Sequence, residues 1–212
     1  NARSAAITLI ARMGKFSPEL KTTLLKILKS GSDLEKIACA NAFAIKDSSD
    51  VLVADSLIQA HINNFGDVRS ATNHALWNFG PILITPLLKV IKSDDLDQID
   101  FAISRLSRFG TKAIQAAPRL RELFETAGEV RQQRALMQAL NSIDPDNPAT
   151  EKIIASGLNA DDPGIKRTAI DLLAKRGSKS LKFVPDLQRL SATEKGMFDS
   201  AIRKAIKKIK GK

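Results

Sequence analysis

The sequence is poor in aromatic residues, with nine phenylalanines, one tryptophan and no tyrosine in 212 residues. Strands are enriched in aromatic and β-branched residues, so this shortage argues against a core built on a sheet. Apolar residues nevertheless make up 43% of the chain, which is too many for a disordered protein. Because alanine, leucine and isoleucine supply most of them, the composition favours closely packed helices.

Cysteine and histidine are also scarce, which limits the chemistry that the chain can perform. The single cysteine, Cys39, excludes an internal disulfide and a multi-cysteine metal site, and it slightly favours the reducing cytoplasm. Two histidines without a His-Glu dipeptide cannot readily build a metal site. Phosphate-binding glycine motifs and the G-x-S-x-G motif are missing too. We therefore expect a non-catalytic protein that needs no cofactor and no metal.

Long apolar runs are absent, and no run approaches the roughly 20 residues that a helix needs to cross a bilayer. Acidic residues are outnumbered, which leaves a formal net charge of +10. Residues 145–212 carry most of this excess, with 15 basic and 8 acidic side chains. The chain starts at Asn1 within a helical pattern, so we expect it to be the C-terminal part of a longer protein.

An internal repeat with a period near 33 residues organises the sequence. The repeat is marked by residues at the ends of predicted helices, spaced by 32, 34, 30, 34 and 33 positions: Met13, Ile45, Phe79, Phe109, Ile143 and Arg176. Glycine follows four of these residues, at Gly14, Gly80, Gly110 and Gly177, which predicts helix ends in the left-handed conformation. Upstream positions three and seven residues before each marker are apolar or small, which predicts one buried helical stripe per repeat.

A second helix is predicted after each marker. Pro86, Pro118 and Pro185 recur one and two periods apart, and proline is tolerated in the first turn of a helix. Aspartates then precede the next helix and are predicted to serve as N-caps: Asp33, Asp67, Asp95 or Asp97, and Asp161 or Asp162. Each repeat is therefore predicted to be a helix–turn–helix unit.

This pattern resembles the short HEAT-like repeat family. The matching residues are Val68-Arg69, Ala75-Leu76, Phe79-Gly80, Pro86 and Leu88, and again Ile165-Lys166, Ala169, Leu172-Leu173, Gly177, Pro185 and Leu187. The resemblance implies one all-α domain over 1–212, a right-handed α-solenoid in which second helices line a concave surface. Its repeats would span 2–32, 33–66, 67–95, 96–128, 129–161 and 162–194, followed by a capping helix at 196–209.

The resemblance implies a scaffold that binds a protein or peptide on its concave surface, and we expect no small-molecule substrate. The alternative hypothesis is binding of nucleic acid or another polyanion. It depends on a predicted basic row on the second helices, formed by Lys26, Lys89 and Arg121 and flanked by Lys29 and Lys92. It also depends on the lysine-rich C-terminal helix, with Lys204, Lys207 and Lys208. We interpret this helix first as a solubilising cap, with contact to nucleic acid or an anionic membrane as the alternative.

The stretch 67–80 contains several polar and aromatic residues and could be read as a site. The repeat instead gives Trp77 an ordinary role in helix packing at a rim, and it places His74 in solvent. Asn73 differs, because its column is otherwise apolar and an unpaired buried amide costs roughly 1–3 kcal/mol. Asn73 should therefore bond a neighbouring helix end or contact a ligand. The same column contains Cys39, which we expect to be a buried, inert thiol.

Overall fold

The structure, a computed structural model, describes residues 2–13, 16–46, 49–194 and 196–211. These residues form α-helices joined by turns and short 3₁₀ segments, and none of them belongs to a strand. The prediction of an all-α fold is confirmed. None of the helices in this described part of the chain is long and apolar enough to cross a membrane.

The helices belong to two compact units, an N-terminal unit of residues 1–90 and a C-terminal unit of residues 91–212. The described N-terminal unit contains α1 (Ala2–Met13), α2 (Pro18–Ser30), α3 (Asp33–Lys46), α4 (Val51–Ile62), α5 (Gly66–Leu76) and α6 (Ile84–Val90). The described C-terminal unit contains α7 (Leu96–Arg108), α8 (Ala117–Thr126), α9 (Val130–Ile143), α10 (Pro148–Ser156), α11 (Pro163–Lys175), α12 (Val184–Thr193) and α13 (Asp199–Ile209). Each predicted repeat thus contains one odd-numbered helix followed by one even-numbered helix.

Odd-numbered helices pack against each other in series within each unit. In the N-terminal unit α3 contacts both α1 and α5, and in the C-terminal unit α9 contacts α7 and α11, and α11 contacts α13. We call these sets the odd-helix layers. The even helices pack on them, with α2 against α3, α4 against α5, α8 and α10 against α9, and α12 against α13.

The apolar stripe predicted on the odd helices forms the interior of each layer. Leu76, Leu106, Leu140 and Leu173, which share one column of the repeat, are all buried. Alanines such as Ala102 and Ala169 occupy the stripe one turn earlier and are fully buried. Their small side chains allow neighbouring helices to approach closely, so the repeat pattern directly determines the packing.

The glycines at the ends of the odd helices do not behave alike. Gly110 and Gly177 have φ values of 55° and 58°, the left-handed conformation expected of a helix-ending glycine. Gly80 has φ of −83°, so the prediction is wrong there. The reason is that α5 already ends at Leu76, and the chain turns through Trp77 before it reaches Gly80. Gly14 lies outside the described residues.

Two of the predicted aspartate N-caps are confirmed. Asp95 accepts a hydrogen bond from the Gln98 amide at 3.1 Å, and Asp162 accepts one from the Ile165 amide at 3.0 Å. The N-cap prediction is wrong for Asp33, which is the first residue of α3. It is also wrong for Asp67, which lies inside the first turn of α5. Acidic residues at those positions still face the positive end of the helix dipole.

Replacing a buried leucine of the stripe should destabilise its unit. Leu76→Ala in the N-terminal unit and Leu173→Ala in the C-terminal unit each remove core volume, and each should lower the free energy of unfolding by about 2–5 kcal/mol. Urea denaturation followed by circular dichroism measures the change. The control is His74→Ala, because His74 is exposed and its removal should cost less than about 0.5 kcal/mol. Equal losses in all three variants would contradict the packing.

Candidate binding surfaces

A groove of about 490 Å³ lies between α2 and α4 of the N-terminal unit. Leu25, Leu28 and Ala60 supply its apolar lining, and Leu28 is almost fully buried. Its polar lining includes exposed side chains from both helices: Lys26, Lys29, Gln59 and Asn63. The groove therefore combines apolar surface with two lysines and with amides that can both donate and accept hydrogen bonds. It also contains one half-buried carboxylate, Asp55, which lies 3.7 Å from the Lys89 ammonium.

The residues of the predicted basic row are divided between the two units and differ in what they contact. Lys26 and Lys29 line the groove of the N-terminal unit, and neither has a carboxylate partner among the described residues. Lys89, in the same unit, lies 3.7 Å from an Asp55 oxygen. Lys92 and Arg121 belong to the C-terminal unit.

Arg121 forms an ion pair within the fold. Its Nη1 lies 2.8 Å from an Asp144 oxygen, and the two side chains are only 22% and 15% exposed. Asp144 ends α9 as its C-cap, so the pair ties α8 to the end of the next helix. The Arg121 guanidinium thus has a structural partner. Lys92, by contrast, is exposed and has no carboxylate partner among the described residues.

The even helices of the C-terminal unit border a second groove, of about 510 Å³, between α10 and α12. Four of its five charged lining residues are paired with each other, and the fifth is the exposed Lys152. Lys166 forms a close ion pair with Glu194, and Arg189 lies 2.6 Å from Asp186. This groove therefore offers little uncompensated charge to a partner.

The odd-helix layer of the C-terminal unit carries the excess positive charge of that unit. α7 has two basic and two acidic residues, α9 has two basic and none acidic, α11 has three basic and one acidic, and α13 has four basic and one acidic. By contrast, α8, α10 and α12 each contain as many acidic as basic residues. The sequence-based hypothesis concentrated on second helices and on the C-terminal helix, and it missed the positive charge of α9 and α11. Counting charge separately for alternate helices would have found it.

The C-terminal helix α13 is strongly amphipathic. Ala201, Ile202, Ala205 and Ile209 are buried where α13 packs on α11 and α12. Lys204, Lys207 and Lys208 lie on the exposed side, and none has a carboxylate partner among the described residues. Their positive charge is available to a partner.

Residues of the stretch 67–80 have structural roles in α5 and the turn that follows it. His74 is exposed as expected, and Trp77 is 54% exposed just after the end of α5. Asn73 is half-buried and is not left without an interaction partner. The sequence interpretation missed Arg69, whose Nε donates to the carbonyl oxygens of His61 at 3.2 Å and Asn64 at 3.1 Å. These bonds satisfy the end of α4 and join it to α5.

Two chemical features of the described structure concern metal binding and the single thiol. In residues 2–13, 16–46, 49–194 and 196–211, no three His, Cys, Asp or Glu side chains come close enough to hold a metal ion. Cys39 is completely buried, and burial, aided by the negative charge of Glu35, raises the pKa of its thiol to about 12.

Together these features define an all-helical, repeat-like protein. No protein-family model matches the chain, and no curated protein is similar to it. Solved structures similar to it include a crystal structure described as an engineered protein, from the Northeast Structural Genomics Consortium. The identity is 18% and the TM-score is 0.51, over 90% of this chain and 96% of that one. At this identity the likeness concerns the fold alone.

The burial of Cys39 predicts a thiol that does not react in the folded protein. With a pKa near 12, its thiolate fraction at neutral pH is about three orders of magnitude below that of an exposed cysteine. A chromogenic disulfide reagent at pH near 7 should therefore react very slowly with the native chain. The same reagent should react with one thiol per chain at once in denaturant. Rapid labelling of the native chain would contradict the buried placement.

The Arg121–Asp144 pair predicts that Arg121 contributes to stability. Arg121→Gln leaves the half-buried Asp144 carboxylate without its charged partner, which should lower the free energy of unfolding by about 1–3 kcal/mol. Lys92→Gln removes the same charge at an exposed position and should change it by less than about 0.5 kcal/mol. Urea denaturation compares the two variants, and equal effects would exclude a structural role for the ion pair.

Proposed function

We propose that this chain is a non-catalytic HEAT-like scaffold that binds a peptide segment of a partner protein in the groove between α2 and α4. The serial packing of odd helices in each unit supports the HEAT-like interpretation, in which all six repeats continue as one right-handed α-solenoid. The observation that carries the functional proposal is the groove itself, which joins apolar lining to two unpaired lysines.

The chemistry of the groove indicates the kind of peptide that fits. The half-buried Leu25 offers apolar contact to an aliphatic side chain. Lys26 and Lys29 are placed to contact carboxylates, and hydrogen bonds to charged groups are stronger than those between neutral groups. The amides of Gln59 and Asn63 can hydrogen-bond both N–H and C=O groups of an extended peptide backbone. The preferred partner is therefore an acidic peptide with interspersed aliphatic residues.

Selection from a library of displayed random peptides of about 12 residues tests this proposal. Peptides recovered on the full chain should be enriched in Asp, Glu and aliphatic residues. Lys29→Glu should weaken a selected peptide at least about tenfold in fluorescence anisotropy titrations, because it replaces an attraction by a repulsion. The matched control is Arg12→Glu, which reverses one exposed charge on α1 of the same unit and should change the affinity by less than about twofold. Recovery of no acidic peptide, or equal effects of the two changes, would contradict the groove as the site.

A second candidate function is binding of a polyanion. It is favoured by the exposed and unpaired lysines of α13, Lys204, Lys207 and Lys208. In the predicted basic row, Lys89 and Arg121 already have aspartate partners, so the contact surface that we propose for a polyanion is the odd-helix layer of the C-terminal unit.

A further inference from the structure

A shallow groove of about 320 Å³ crosses the exposed side of α9, α11 and α13 in the C-terminal unit. Arg134 of α9, Arg167 and Lys175 of α11 and Lys208 of α13 line it, and Asp171 is its only acidic lining residue. Three consecutive odd helices thus each contribute positive charge to one surface. We call this surface the basic face, and α13 carries three further exposed cations, Arg203, Lys204 and Lys207.

Three of the four cations that line the basic face have no carboxylate partner in the described part of the chain. Asp171 pairs with Arg167 at 3.2 Å, one helical turn away. Among the described residues no carboxylate lies within ion-pair distance of Arg134, Lys175 or Lys208. The uncompensated charge of the groove is therefore supplied by three side chains from three different helices, which a partner can neutralise together.

Arg134 is held in position by its neighbours. Its Nε donates a hydrogen bond to the Thr168 hydroxyl oxygen at 3.0 Å, and that hydroxyl in turn donates to the Gly164 carbonyl at 2.8 Å. Arg134 is exposed and lines the groove, and a preorganised guanidinium loses less entropy when it binds an anion.

The residues around these charges indicate the class of anion. None of the three helices contains an aromatic residue, so the face lacks the stacking platform on which proteins bind single-stranded nucleic acid. Only Val130, at the start of α9, is a large exposed apolar residue in these fully described helices. Binding in a membrane interface uses a broad apolar face as well as basic charge.

The size of the basic face suits a nucleic-acid duplex. α11 has 13 residues, which makes it about 20 Å long, and three packed helices are about 20 Å across. Each strand of a duplex carries a phosphate about every 3.4 Å along the axis, so such a face spans about six base pairs. The cations stand on separate helices, which allows them to reach several phosphates at once.

We propose that the basic face binds the phosphate backbone of a nucleic-acid duplex without reading its sequence, with Arg134, Lys175 and Lys208 at its centre. This inference rests on the polyanion candidate and extends it from α13 alone to a surface across α9, α11 and α13. It is separate from the peptide groove, which involves α2 and α4 of the other unit.

Titration of labelled duplexes of about 20 base pairs, both DNA and RNA, with the full chain tests the proposal. Micromolar or tighter binding is expected at about 50 mM salt, and it should weaken on the order of 100-fold at about 200 mM, because about four phosphate contacts release counterions. Single strands of the same length and vesicles of phosphatidylserine and phosphatidylcholine serve as comparison ligands. Tighter binding to either of these than to both duplexes would overturn the duplex assignment.

Paired substitutions locate the contact. We call the slope of the logarithm of the binding constant against the logarithm of the salt concentration the salt slope. Arg134→Gln with Lys175→Gln should reduce the magnitude of this slope by about two, roughly one for each lost phosphate contact. The control is Lys112→Gln with Lys152→Gln, which removes two exposed charges elsewhere in the same unit and should leave the slope unchanged. A charge-retaining pair, Arg134→Lys with Lys175→Arg, should bind within about threefold of the original chain. Thermal denaturation verifies that every variant is folded.

The outcomes separate this inference from the function on which it rests. If Lys204→Gln with Lys207→Gln weakens binding while Arg134→Gln with Lys175→Gln does not, then α13 alone is the contact. In that case the proposal that the basic face binds the duplex is wrong. If neither the duplexes nor the single strands bind at about 50 mM salt, the polyanion candidate itself fails. If the control pair weakens binding as much as the test pair, binding depends on net charge only, and the face is again wrong.

Discussion

A single odd helix of this protein cannot bury its apolar stripe. The rest of the structure depends on the packing of these stripes against each other. Each stripe packs against the stripes of the helices one repeat before and one repeat after it within its unit. Leucines such as Leu106 and Leu140 fill the interior, while alanines such as Ala102 allow close approach. Since the contact partners are neighbours in the repeat order, stability accumulates from one repeat to the next, as in other repeat proteins.

Once the stripes are buried, the remaining helix surface is available for charge, and the two helix types use it differently. Even helices of the C-terminal unit balance acidic and basic residues, and cations on both helix types meet carboxylates in structural pairs such as Arg121 with Asp144 and Lys166 with Glu194. The odd helices α9, α11 and α13 leave cations such as Lys175 and Lys208 without partners. Among the described residues, no carboxylate competes with a partner's negative charge for these cations, which is the basis for proposing a binding surface there.

Much of the helix plan was readable from the sequence because it depends on local periodicity. The spacing of about 33 residues predicted the helix–turn–helix pairs. It also placed N-caps at Asp95 or Asp97 and at Asp161 or Asp162, and the structure decides for Asp95 and Asp162, whose bonds span only three residues. The failures were also local. Gly80 follows a helix that ends four residues earlier, and Asp67 lies inside α5 rather than before it. Sequence patterns locate helix ends less well than helix interiors, because several turn geometries satisfy the same residues.

The sequence by itself determined the helical class, the repeat and the buried stripe, since all three follow from the order of apolar and small residues along one helix. It also identified Lys26 and Lys29 as exposed cations. Only the tertiary structure decided which charges are compensated, because an ion pair such as Arg121 with Asp144 joins residues on successive helices. Tertiary packing likewise brings Arg134, Lys175 and Lys208 from three separate helices to one groove. Periodicity within a helix carries no information on the distance between side chains of different helices. That distance is set by how neighbouring helices pack.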